Sequence, residues 1–151
     1  MFVDKDVWVG ASTSWGIGLW ISDRWAAWRL CPGWANQNCN IGWLETIAIK
    51  IADMWLATQN IHDAHTCIYS NNTGVIGALL KGRSRNAARN DSIKQISHLL
   101  APFNISLDPC YVASADNKSD HISHGELGPS NMHLQIAFSL PRDLQPFLDY
   151  V

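Results

Sequence analysis

The sequence predicts an α/β domain: a mixed five-stranded sheet with helices packed on it, in the order β-β-β-α-β-α-α-β-α. Three observations predict it. Short apolar runs broken by tight turns precede Cys31, which is the pattern of a strand meander. A long apolar segment with helical spacing follows, from Ile41 to Asn60. Beyond it, short β-rich runs alternate with helical patterns, as in a sheet extended by parallel crossovers.

The elements follow in order. Val7-Trp8-Val9 is the first strand and ends at Gly10. Residues 16–21 form the second, Ser22-Asp23 a tight turn, and residues 25–30 the third. So short a turn makes an antiparallel hairpin. Cys31 to Asn40 holds Pro, Gly and several amides and reads as a loop. In the helix from Ile41 to Asn60, Thr46, Lys50 and Asp53 share a polar face, and apolar residues wrap most of the rest, so it is expected to be largely buried. Glu45 shares its face with Ile49, Ala52 and Leu56. Two readings of it stand open: a carboxylate tolerated near a helix start by the dipole, or one aimed inward for chemistry.

Residues 66–70 form the fourth strand, and Asn71-Asn72-Thr73 supplies a cap for a short helix from Gly74 to Leu80. Ile93, Ile96, Leu99 and Leu100 mark a further helix that Pro102 ends. Ser106 to Val112 holds the fifth strand, 114–117 a turn, and Lys118 to Ser123 the last helix. Leu140, Leu144, Phe147 and Leu148 are expected to dock the C-terminal segment on the domain.

A chain of 151 residues is about one domain, and 47% hydrophobic with 16% charged residues excludes a disordered chain. No apolar run approaches the ~18 residues of a membrane span, and the start lacks the basic and apolar regions of a signal peptide. The expected location is intracellular, in cytoplasm or nucleus. Cys31, Cys39, Cys67 and Cys110 form no CxxC pair, and reduced thiols are expected. The formal net charge of −2 hides an asymmetry. Lys81, Arg83, Arg85, Arg89 and Lys94 face only Asp91 in their stretch, a local basic patch on an acidic domain. All eight Trp lie between Trp8 and Trp55. Those in strands and in the helix are expected in the core; Trp15 and Trp34 are the candidates for stacking. His62-x-x-His65 and His121-x-x-His124 are weak metal signals of two ligands each.

Four local motifs carry a family resemblance. They are Gly10-Ala11-Ser12-Thr13-Ser14-Trp15-Gly16-Ile17-Gly18, Gly42-Trp43-Leu44-Glu45, Tyr69-Ser70-Asn71-Asn72-Thr73-Gly74-Val75, and the closing Asn-x-x-Asp segment in Ser114 to Gly125. In this order they resemble the ribonuclease H domain of retroelement polyproteins. The resemblance covers roughly positions 5 to 125, with 126–151 as a C-terminal extension of one single domain.

That resemblance implies two-metal hydrolysis of the RNA strand of RNA:DNA hybrids. Two Mg²⁺ or Mn²⁺ ions held by carboxylates clamp the scissile phosphate and activate a water. It also implies a neighbouring reverse transcriptase domain as partner, and no membrane. The family's four carboxylate positions fall on Gly10, Glu45, Asn71 and Asp120. Two depart from the pattern: Gly10 supplies no side-chain ligand, and Asn71 supplies an amide without charge. Glu45 and Asp120 remain as metal ligands of a weakened site. Asp4 or Asp6 would not substitute, since Asp6 lies roughly 13 Å from Gly10 along an extended strand. Nucleic-acid contacts are expected from Asn72, Thr73, Lys81, Arg83, Arg85 and Arg89.

Three readings follow. The first is a catalytically impaired ribonuclease H-like domain that still binds hybrid. The second is a structural module like the connection domains, without nuclease activity. The third is an active nuclease in which Asn71 or Asp116 supplies a compensating ligand.

Overall fold

The structure, a computed structural model, describes residues 1–34, 40–82 and 87–151; of residues 87–89 only the backbone is described. Strand β1 (Phe2–Ala11) pairs antiparallel with β2 (Gly16–Ile21), and β2 antiparallel with β3 (Arg24–Leu30). On the other side β1 runs parallel to β4 (Ala64–Ser70), and β4 parallel to β5 (Ile105–Tyr111). A sixth strand, β6 (Leu148–Tyr150), pairs antiparallel with β3 and completes the order β5-β4-β1-β2-β3-β6. Among the described residues the helices are α1 (Ile41–Ala57), α2 (Thr73–Lys81), α3 (Ala87–Leu100) and α4 (Asp120–Ser123). The fold is therefore α/β with a mixed sheet.

The element order is the expected one with a strand added. The expected sheet of five strands is corrected to six. A bare β3 edge would present unpaired N–H and C=O groups, and the C-terminal segment covers it. Three residues following Pro146 carry too short a pattern to read as a strand. The N-terminus also differs: β1 begins at Phe2 rather than near Val7. Its pairing with β4 shifts between Val3 and Val7, and Asp6 sits at φ 57°. The polar stretch Asp4-Lys5-Asp6 thus hides a bulged strand. Ser22 and Asp23, at φ 47° and 67°, make the two-residue turn whose twist suits a hairpin. Pro109 is accommodated because β5 is an edge strand.

Val7, Val9, Ile17 and Leu19 point to one face of the sheet and meet Ile47, Ala48 and Ile51 of α1 in the core. Ile96 and Leu100 of α3 join the same cluster. The polar face expected on α1 is not solvated: Thr46, Lys50 and Asp53 are all buried. The physical reason is that α3 packs on α1. Thr46 donates to Gly42 O at 2.8 Å, and Lys50 donates to Gln95 of α3. Asp53 is fully buried with neither carboxyl oxygen partnered among the described residues, and burial pushes its pKa well above the usual range. The helix ends at Ala57, short of Asn60, where Thr58 donates to Trp55 O at 2.6 Å.

The opposite face carries α4. It seats on Gly18 of β2, where an added Cβ would lie 2.6 Å from Ser123 N and 2.8 Å from Ile122 Cβ. Only a glycine admits so close an approach. Gly18→Val should therefore lower stability by about 2 kcal/mol or more, read from the denaturation midpoint, by levering α4 off the sheet.

The Trp expectations divide. Trp25, Trp28 and Trp43 are buried, but Trp8, Trp20 and Trp55 are half-buried. Trp8 lies on the sheet face away from α1, stacked on Tyr69 at 4.4 Å with Lys118 Nζ 5.1 Å from its ring centroid. Neither candidate for stacking stands free. Trp15 seats against Gly125, and Trp34 packs against the core.

The expectation of reduced thiols is corrected for one pair. Cys67 and Cys110 are joined as a disulfide, Cα atoms 6.4 Å apart, because the parallel pairing of β4 and β5 brings them onto one face. Cys31 is a free thiol, and Cys39 lies outside the described residues. Leu144 and Leu148 of the C-terminal segment are buried, and Phe147 meets Trp43 edge-on at 6.0 Å. No helix among the described residues is long and apolar enough to cross a membrane.

Candidate functional site

Four separate elements deliver the four motif positions to one place. Gly10 stands near the end of β1, Glu45 in the second turn of α1, Asn71 just past β4, and Asp120 at the start of α4. Asn40 caps α1, its side chain accepting from Trp43 N at 3.0 Å, and so fixes where the helix begins and where Glu45 points.

Glu45 is 4% exposed. Its carboxyl accepts the backbone N–H of Ala11, while Oε2 has no partner among the described residues. Burial pushes its pKa up to about 8; the Ala11 N–H pulls it down and the charge of Asp120 pushes it up. Glu45 therefore keeps its proton at neutral pH. Of the two open readings of this residue, the structure shows the inward aim of the carboxyl and no more. Asp120 is half-exposed, with His124 Nε2 3.7 Å away.

Neutral groups form a hydrogen-bonded knot that joins the end of β1, the residue past β4 and the segment before α4. Asn117 Nδ2 donates to Val9 O at 3.0 Å and to Asn71 Oδ1 at 2.9 Å. Asn117 Oδ1 accepts from Ser119 N at 3.0 Å and Ser119 Oγ at 2.7 Å. Asn71 Nδ2 donates to Ser114 Oγ at 2.8 Å. Asn117 and Ser119 are buried. A Cβ added at Gly10 would lie 2.7 Å from Ser119 Oγ. The hydroxyl of the closing segment thus occupies the room that a side chain on β1 would need.

The donor set does not fit a pair of hard divalent ions. Such ions want several charged oxygens. Here Gly10 offers none, Asn71 Oδ1 already accepts from Asn117, and only Glu45 and Asp120 of the four positions carry carboxyls. Among the described residues no group of three or more His, Cys, Asp or Glu converges. Asp116 ends a 3-10 turn at the surface. Asp4 and Asp6, at the far end of β1, accept from Tyr69 Oη at 2.9 Å and Trp8 Nε1 at 2.7 Å.

No family model, curated protein or solved structure matches the chain.

The expected nucleic-acid residues are only partly gathered. Asn72 caps α2, its Oδ1 accepting from Val75 N at 3.0 Å, and Thr73 opens that helix exposed, two residues past Asn71. Lys81 is exposed in the last turn of α2, roughly 12 Å along the helix from Thr73. Arg83 and Arg85 lie outside the described residues; Arg89 falls on α3 but its side chain is not described. The His pairs do not converge. His62 turns to Phe103 and His65 to Asp108, while His121 lies against Trp20 and His124 beside Asp120.

Asn117 and Ser119 are the site residues that sequence reasoning did not single out. The Asn-x-x-Asp spacing contained the signal for Asn117. Its amide makes four hydrogen bonds across three segments while almost fully buried. Asn117→Ala should lower stability by about 2 to 4 kcal/mol, measured by chemical denaturation, since it orphans several buried groups at once.

Proposed function

We propose that the chain is a ribonuclease H-like domain of a retroelement in which the cleavage centre has become a neutral amide–hydroxyl network, and which still binds RNA:DNA hybrid. One observation carries this reading: positions 10, 45, 71 and 120, far apart in sequence, meet at one end of the sheet. The strand order β5-β4-β1-β2-β3 and the motif order support it. So does the chemistry of the replacements, which removes charge and keeps hydrogen bonding.

Binding does not need the metals. Phosphates are held by cations and by N–H and O–H donors. Thr73 and Lys81 supply exposed donors on α2, and the basic stretch through Arg83, Arg85 and Arg89 continues from it. The test uses a fluorescent RNA:DNA hybrid. Binding by the full chain should weaken with salt, and replacing Arg83, Arg85 and Arg89 by Gln should weaken it further and flatten the salt slope by about three counterions. Absence of binding at low salt would sink this reading.

The connection-type module is the second reading. The buried, protonated Glu45 favours it, because that carboxyl then serves the fold rather than a substrate. Loss of hybrid binding, with the fold intact, would move it to first place.

A further inference from the structure

A second site on the molecule is marked by a buried lysine that forms no ion pair among the described residues. Lys50 is only 5% exposed, on the face of α1 that meets α3. Its Nζ donates to Gln95 Oε1, a neutral amide. None of the ion pairs among the described residues includes it. The buried carboxyl nearest in sequence, Asp53, has both oxygens unpartnered and so does not serve it. Asp143 is exposed, and its charge acts on Lys50 against the larger effect of burial, which pulls the ammonium's pKa down. A buried ammonium whose hydrogen bond goes to a neutral amide, with its nearest acting carboxylate exposed, is an expensive arrangement.

Lys50 also lines a groove of about 400 Å³ between α1, α3 and the C-terminal segment. Met54, Leu99 and Pro141 make its walls apolar, and Asp143 stands on its lining. That volume lies in the range of small-molecule sites, which are mostly apolar with a few polar groups that orient the ligand.

We propose that this groove binds a small carboxylate with an apolar tail, the carboxylate pairing with Lys50 and the tail lying on Met54, Leu99 and Pro141. The charge count favours a monoanion. His98 and Asp143 also line the groove; one ammonium matches one carboxylate, and a dianion would bring surplus charge among apolar walls beside Asp143. A neutral tail alone leaves Lys50 as it is. The site is separate from the amide–hydroxyl network and does not rest on the nucleic-acid reading.

Octanoate below its micelle concentration is the probe, with 1-octanol and octylamine as controls, followed by calorimetry on the full chain. A second readout is the methyl resonance of Met54 in methionine-labelled protein, where Met1 and Met132 are internal references. Octanoate should bind at least about tenfold tighter than 1-octanol and shift the Met54 methyl alone. Lys50→Met should erase that preference. Gln95→Glu places a carboxylate of the chain itself against Lys50, so it should erase the preference while keeping the lysine and the fold. Equal binding of acid and alcohol, a preference that survives both variants, a shift at other methyls only, or no binding at all would each overturn the proposal.

Discussion

A chain carrying Gly10→Asp, Asn71→Asp and Ser119→Ala together should cleave the RNA strand of an RNA:DNA hybrid in Mg²⁺ or Mn²⁺, where the unaltered chain does not. On the proposed function, the two introduced carboxylates complete an oxygen set with Glu45 and Asp120. Regaining a charged clamp on the reacting phosphate is worth on the order of 10³-fold or more in rate. The third change follows from packing. An Asp at position 10 sets its Cβ 2.7 Å from Ser119 Oγ, so the hydroxyl must leave its bond to Asn117 Oδ1. Asn71→Asp is milder, because its oxygen still accepts from Asn117 and the Ser114 hydroxyl can turn to donate. The double variant without Ser119→Ala should therefore melt lower and cleave on the order of tenfold more slowly than the triple. Single-turnover rates and melting curves of the three chains decide this. Equal rates for double and triple would show that Ser119 does not obstruct the position. Silence from the triple variant, with hybrid still bound, would remove the four-position assignment.

Asp53→Asn should stabilise the protein at alkaline pH and take away part of an unusual pH dependence. Asp53 is fully buried and its pKa in the folded protein lies well above 3.8. The folded state therefore holds this proton more tightly than the unfolded state does. Stability from it is fully present below pH 3.8 and falls as pH rises toward the raised value. Glu45 adds a slope of the same sign between pH 4.5 and about 8. The chain should thus become less stable from mildly acid to mildly alkaline pH, opposite to a protein held by salt-bridged carboxylates. At pH 8 the Asp53→Asn variant should gain stability in urea denaturation relative to the unaltered chain, because an amide has no proton for the folded state to hold against solvent. A residual slope should remain until Glu45 is also replaced by Gln. A stability that rises with pH in the unaltered chain would contradict both assignments.

Much of the fold is legible in short stretches of sequence. The tight turn at Ser22-Asp23, the apolar wrap of α1 and the cap at Asn72 act over a few residues, and local patterns report local physics. The inward aim of Glu45 is half legible, since its face can be read but not what covers it. Elsewhere a local pattern misleads. Lys50 and Asp53 look like a solvated stripe because their spacing is that of one, and α3 buries them. β6 escapes notice because its partner β3 lies more than a hundred residues away. The pairing of Cys67 with Cys110 needs the register of two parallel strands.

The candidate site divides in the same way. The family resemblance alone points to positions 10, 45, 71 and 120, two of which carry no charge in this chain. That Ser119 fills the space beside Gly10, and that Asn117 ties Val9, Asn71 and Ser119 together, is decided only in three dimensions. By itself the sequence determined the α/β class and the order of the elements through α4, because these follow from periodicity and turn chemistry. Tertiary structure alone decided which polar groups are buried, which hydroxyl fills the space beside Gly10 and that Lys50 meets an amide of α3. Those depend on contacts between segments remote in the chain, and no local pattern encodes them.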